Sequence, residues 1–338
     1  MFIKKILIII CLFFEVYSGF GQDIHFSQYN GSLLNISPGF TGLFNGDYRF
    51  SSIFRSQWSS VPVSYSTFNM NAEQRLSPKQ LGKDMLGIGL VFNNDKAGDA
   101  RYAATQLYGN LSYIFLAKPD SSLIITLGTS FGFNQVGFDY TKMTFDSQFD
   151  GLQYNRSLGT GESFNWTQYN YLDLNLGSAV QYVLKHRHRF MYGLAFHHVT
   201  GPVISYQGND ISKLDYKVSN YLSYNTPLGQ KTELITEALF SLQGKNYEII
   251  PHASLKYFMN KADNLAISGG MSFRARDAIV FRVGYFNKTL QAGMAYDINT
   301  SKFNAATNRR GAFELFVNYV LKLKPTFKAK RRDCPVFM

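Results

Sequence analysis

From Asp47 onward, apolar residues occupy every second position over segments of about ten residues, broken by Gly, Asn, Asp, Ser and Pro. The pattern is clearest late in the chain. Ile279, Phe281, Val283 and Tyr285 alternate with Ala278, Arg282 and Gly284. Leu290, Ala292, Met294 and Tyr296 alternate with Gln291, Gly293, Ala295 and Asp297. Phe313, Leu315, Val317, Tyr319 and Leu321 alternate with Glu314, Asn318 and Lys322. Earlier runs are Leu86, Ile88, Leu90, Phe92 and Leu123, Ile125, Leu127, Phe131, Phe133. Successive side chains on a strand point to opposite faces, so each segment has one apolar face. The other face holds Gly, Ser, Asn and isolated charges.

A soluble sandwich alternates too, with its apolar face inward. Three features favour a barrel in lipid. The segments run nine to twelve residues, the span that crosses a bilayer at about 45°, whereas soluble strands cluster near five or six. Their apolar faces begin or end in Tyr and Phe, as interfacial girdles do, and they number about fourteen, an even count. The pattern therefore predicts an all-β protein, a transmembrane outer-membrane β-barrel of about 14 antiparallel strands over residues 47–323. One set of predicted connections is short: Ala117–Ser122, Lys185–Arg189, Asn225–Lys231, Asn260–Asn264 and Asn287–Lys288. The other includes Gln135–Asn165, Thr200–Ser212 and Asn299–Arg310, all longer. Short periplasmic turns and long extracellular loops give that asymmetry, with both termini periplasmic.

The ends differ from the middle. Lys4 and Lys5, the apolar run Ile6 to Phe14 and Gly19-Phe20-Gly21 form a Sec-type signal over residues 1–21, leaving Gln22 first. A lipoprotein signal on Cys11 would need a small residue where Ile10 stands. Residues 22–46 alternate little and are expected either to plug the barrel or to lie at its periplasmic rim. Residues 324–338 are a basic tail that carries most of the cations after Leu321 and ends in Cys334-Pro335-Val336-Phe337. That tail is either a solvated end or a periplasmic docking strip.

Composition narrows the classes. Of 338 residues, 45% are apolar, 16% aromatic and 17% charged, too few charges for a disordered chain. No 18-residue apolar run follows the signal, so helical membrane spans are not expected. The formal charge of +11 could suit nucleic acid, but an exported chain rarely meets it, and no nucleic-acid partner is expected. One cysteine, Cys334, remains after the signal, which excludes an internal disulfide and a Cys-based metal site.

Catalytic motifs are weak. Gly128-Thr129-Ser130-Phe131-Gly132 matches the G-x-S-x-G nucleophile elbow, but it falls within an alternating strand rather than a strand-to-helix turn. His197-His198 should face opposite ways on a strand and so not share a metal. His186 and His188 lie among cations, in a basic turn. Glu233 and Glu237 are expected as separate inner-face carboxylates. No enzymatic activity, cofactor or metal is expected. The register places Arg49, Arg55, Asp173, Asn175, Glu237, Lys256, Arg274, Arg282, Asp297 and Glu314 inside, where buried charges need partners or water.

Gln22-Asp23-Ile24-His25-Phe26-Ser27-Gln28-Tyr29, running on to Ser37-Pro38-Gly39-Phe40-Thr41-Gly42, resembles the PorP/SprF family of type IX secretion and gliding-motility proteins of the Bacteroidota. So do Phe54-Arg55-Ser56-Gln57-Trp58, Tyr296-Asp297-Ile298-Asn299 and the terminal Cys334-Pro335-Val336-Phe337. Family members often have Pro at the place of Ile24 and Asn at that of Ser37. The resemblance implies an outer-membrane barrel without enzymatic activity that works with the type IX secretion machinery. Its implied partners are an exported surface adhesin carrying a type IX C-terminal signal domain, periplasmic ring components, and outer-membrane lipid. Candidate partner-binding residues are the aromatics of the longest loop: Phe138, Tyr140, Phe145, Phe149, Tyr154, Phe164 and Trp166. Candidate periplasmic docking residues are Lys328, Lys330, Arg331, Arg332, Cys334, Pro335 and Phe337. The alternative is a porin-like solute channel, since fourteen strands can enclose a pore.

Overall fold

The computed structural model describes residues 23–323, except 60, 62–63, 99, 119–121, 163–165, 185–187, 207–211, 261–263 and 303. The signal over 1–21, Gln22, Phe164, His186 and the tail 324–338 with its candidates Lys328, Lys330, Arg331, Arg332, Cys334, Pro335 and Phe337 lie outside the described residues.

Fourteen strands form one closed antiparallel barrel: β1 (Tyr48–Gln57), β2 (Tyr65–Leu76), β3 (Met85–Ala97), β4 (Tyr102–Leu116), β5 (Leu123–Gly137), β6 (Gln168–Val183), β7 (Arg189–His197), β8 (Lys217–Pro227), β9 (Thr232–Gln243), β10 (Asn246–Asn260), β11 (Leu265–Arg274), β12 (Ala278–Phe286), β13 (Leu290–Asn299) and β14 (Arg310–Leu321). Each strand pairs with its chain neighbours, and β1 closes on β14 from Tyr48↔Leu321 to Gln57↔Ala312. Closure leaves no unpaired edge, as a lipid environment demands.

The wall is inside-out relative to a soluble protein. Leu90, Leu127 and Phe131 are 58%, 65% and 59% exposed, whereas inward-facing Glu314 is fully buried and Asp297 and Asp173 are 1% exposed. All ten predicted inward polar residues face the lumen, so the alternation set the register correctly. Several strands exceed the predicted length: β4, β5 and β10 have 15 residues and β6 has 16. β5 and β6 continue to Gly137 and from Gln168, carrying the longest loop on a two-stranded extension where the sequence predicted loop from Gln135.

The long loops gather at one end of the barrel, the end reached by odd-numbered strands. Three connections there are long (138–167, 198–216 and 300–309), while β9–β10 turns on Gly244 and Lys245 alone. The opposite end holds the start of β1 and the end of β14.

The segment before β1 lies inside the barrel. It forms short helical turns at Tyr29–Ser32, Leu33–Ile36 and Pro38–Phe40. Such turns let a short chain satisfy its own amides where no strand partner is free. Ser37 caps the last turn, its Oγ accepting from the Gly39 amide at 3.1 Å. The segment does not begin and end at one side of the barrel. Asp23 bonds Gln243 and Lys217, at the long-loop end, while Leu323 donates to Asp47 at the other. Within the described chain, Asp23 and Leu323 thus lie toward opposite ends of the barrel. Asp23 ends between two cationic partners, 2.9 Å from His198 and 3.2 Å from Lys217.

Candidate functional site

Ser27 is the centre of a buried charge cluster. The backbone amides of Ser27 and Gln28 donate to the two oxygens of Glu314, at 2.6 and 2.7 Å. Ser27 Oγ donates to Asp297 at 2.7 Å and accepts from Arg55 and Arg274, both at 2.8 Å. Arg282 Nη2 donates to the Ser27 carbonyl. The wall closes the cluster on itself, with Arg55 paired to Glu314 at 2.5 Å and to Asp297 at 3.1 Å. The mixed charges predicted inside do pair with one another, yet their shared target is the backbone of the N-terminal segment. Charge-assisted bonds of this kind are the strong ones.

A second seat holds Ser37 to Thr41 by shape. Gly128 and Gly177 lie so close to Ser37, Pro38 and Gly39 that a Cβ at either would collide with that backbone or ring, and a Cβ at Gly193 would strike the Phe40 ring. Phe40 is fully buried and meets Tyr221 edge-on at 5.5 Å. Thr126 donates to the Gly39 carbonyl at 2.5 Å and Ser112 to the Thr41 carbonyl at 2.6 Å. Backbone carbonyls that would otherwise be stranded are thus satisfied by wall hydroxyls.

At the long-loop end, His198 bridges the segment to the wall. Its Nδ1 faces Asp173 and its Nε2 faces Asp23, each at 2.9 Å. Burial works against the charged ring, but the two carboxylates, Asp23 first, push its pKa up to about 9. Burial works against the Asp23 carboxylate too, yet Lys217 and His198 hold it well below the usual range. His198 is therefore an imidazolium at neutral pH.

The outward loop presents its aromatics unevenly. Phe138 packs edge-on against Tyr206 at 5.0 Å, and Tyr206 against Tyr169 at 4.8 Å. Phe145 is half-buried. Trp166 and Phe149 are 61% and 59% exposed, and Tyr140 and Tyr154 are exposed as well. Phe149 and Tyr154 form an isolated bridge that shapes the loop tip. The loop thus uses two of its aromatics to pack itself and leaves four facing outward.

The weaker motifs resolve simply. Ser130 lies within β5 rather than at a strand-to-helix turn, and its Oγ accepts from Asn175 at 2.9 Å. Glu233 and Glu237 are on β9, facing the lumen separately. The premise that His197 and His198 face apart fails, because β7 ends at His197 and His198 takes φ +59°. Both rings turn inward, 6.2 Å apart, yet each is occupied: His197 meets the Ile36 carbonyl at 3.1 Å. Among the described residues no cluster suits a metal ion. Sequence reasoning missed Glu73, which accepts from Arg49 and from the Gly42 amide at 2.6 and 2.9 Å. It also missed the glycine seat. Gly128, Gly177 and Gly193 carry no signal of their own, since glycine is common on every inner face.

A family model described as "Type IX secretion system membrane protein PorP/SprF" matches residues 18–319. Among curated proteins, no sequence matches. Among solved structures, a TodX deltaS2S3 mutant monoaromatic hydrocarbon channel aligns with a TM-score of 0.50 at 10% identity, covering 86% of this chain and 94% of that one. The P. putida toluene transporter TodX aligns at 0.49 and 10% identity, covering 85% and 92%. A Pseudomonas aeruginosa FadL homologue aligns at 0.48 and 8% identity, covering 84% and 92%. At 10% identity the first likeness concerns the barrel fold alone.

Proposed function

The chain belongs to the PorP/SprF family of type IX secretion system membrane proteins, and from that premise we propose that it is a docking barrel rather than a conduit. It holds an exported partner at its long-loop end and faces the secretion machinery at the other. The observation that carries this reading is the occupied lumen. Residues 23–46 cross it from end to end, tied at the Ser27 cluster and the glycine seat. A wall that spends its inner charges on its own chain has few left to select a passing solute.

The long-loop end is then extracellular and the Leu323 end periplasmic, as the loop asymmetry of bacterial barrels suggests. Exposed Trp166, Phe149, Tyr140 and Tyr154 are the anchors for the C-terminal domain of an exported adhesin, since aromatic side chains dominate interface energetics. Phe138 and Phe145 support them from beneath. The basic residues 324–338 serve contact with periplasmic ring components.

Replacing residues 139–166 with a short Gly/Ser linker tests the loop assignment in cells. The barrel should still insert, because β5 and β6 pair independently of that loop, and the partner should appear in the medium. Surface retention at the wild-type level would refute the assignment.

A further inference from the structure

On the Leu323 side of the glycine seat the lumen is not filled. A cavity of about 630 Å³ opens there, within the range of small-ligand and peptide sites. It is at the opposite end from the aromatic loop and plays no part in that reading. Its floor is apolar, formed by Leu33, Leu43, Ile124 and Met191.

Two polar side chains in its wall keep unused hydrogen-bonding capacity. Arg282 and Glu237 are only 7% and 5% exposed, and Arg282 Nη1 stands 3.6 Å from Glu237 Oε2, beyond a hydrogen bond. Arg282 Nε and Nη1 lack acceptors, and Glu237 Oε2 lacks a donor. Buried polar atoms are normally paired. A donor group and an acceptor left open side by side match one residue of an extended chain, whose own N–H and C=O point to the same side.

The rim adds charge. Arg49 and Arg75 are committed to Glu73 and to the Phe44 carbonyl. Lys256 and Arg189 form no ion pair among the described residues. Lys256 lies over the Phe286 and Phe258 rings at 4.3 and 4.9 Å, with Glu233 opposite it in the sheet.

We propose that this vestibule binds a short peptide segment with apolar side chains and flanking carboxylates, presented by a partner on the Leu323 side. Its apolar side chains cover the floor, the C=O and N–H of one extended residue meet Arg282 and Glu237, and its carboxylates meet Lys256 and Arg189. Charge complementarity at the rim argues for an acidic rather than a basic occupant.

Fluorescence polarisation on the full chain in detergent tests this. The probe is a labelled, acetylated pentapeptide of three leucines and two aspartates, and the control replaces the aspartates with lysines, empty micelles being subtracted. The acidic probe should saturate and bind at least tenfold more tightly than the basic one. Lys256→Gln and Arg189→Gln should each weaken it at least threefold. The unfolding temperature of Arg189→Gln should not move, because that side chain holds no ion pair among the described residues. Lys256→Gln also gives up its contacts with the Phe286 and Phe258 rings, so its affinity is measured well below its own unfolding temperature. Equal affinity for the two peptides, or affinity unchanged in both variants, would overturn the proposal. Complete displacement by equimolar octanoate would overturn it as well, by showing that a simple apolar acid suffices. Each outcome is independent of the loop deletion, which alters only the other end.

Discussion

The buried N-terminal segment is held in two places by opposite means. Around Ser27 the wall supplies buried charges: Arg55, Arg274, Asp297 and Glu314 surround one serine and two backbone amides. Around Pro38 it supplies absence: Gly128 and Gly177 remove side chains so that backbone can lie on backbone, and Gly193 clears room for the Phe40 ring. The first holds by electrostatics in a low-dielectric interior, where each ion is tolerable only while its partners stay. The second holds by close packing, where any added atom must displace something. A polar cluster fixes which residues of the segment enter, and a shaped seat fixes how deep they go.

Glu314→Gln should have the largest effect. It leaves Arg55 short of a buried counter-charge and weakens the clasp on two amides. Removing one partner from a buried ion cluster costs about 3–5 kcal/mol, so denaturant unfolding of the barrel in lipid vesicles should show a loss near that size. A loss under about 1 kcal/mol, the scale of an exposed pair, would mean that charge is not what holds Ser27.

Gly128→Val attacks the other seat. Overpacking typically costs about 1–3 kcal/mol, and relief comes most easily by expelling residues 37–41. Limited proteolysis should then cut within 23–46. Gly109→Val is the matched control, since a Cβ there meets nothing within 4 Å. If both valine variants are equally resistant, the seat is not selective.

The smallest effect belongs to the His198 bridge. The ring's pKa is raised in the folded state, to about 9, so its stabilisation is complete below the ordinary histidine value and is lost as pH rises through about 9. Asp23 is shifted the other way, so its share is present above the ordinary carboxylate range and is lost as pH falls below it. Stability should plateau at neutral pH and decline on both sides, and His198→Gln should remove the alkaline decline. An alkaline limb unchanged in that variant would assign it to other groups.

Much of this architecture was legible because a strand's period of two leaves little room for error. Once Phe313, Leu315 and Val317 are placed toward lipid, Glu314 can only face inward. The same logic placed all ten inner polar residues, including Arg55 and Asp297, before their partners were known. The clasp itself was not legible, because Ser27 and Glu314 are 287 positions apart and a short, weakly alternating segment carries no period from which to read a partner. That left rim and lumen equally open for residues 22–46. The His198 bridge escaped because strand logic was applied one residue past the end of β7. In the loop, aromatic content was visible, but which rings turn inward depends on Tyr206, a residue of another loop.

Planar-bilayer conductance of the full-length mature chain is the most direct test of an occupied lumen. With residues 23–46 seated between the Ser27 cluster and the glycine wall, the reconstituted barrel should pass no steady current at neutral pH, and Glu314→Gln combined with Gly128→Val should introduce channel steps. Stable ohmic channels from the unaltered protein would contradict the account and return the barrel to the class of solute conduits.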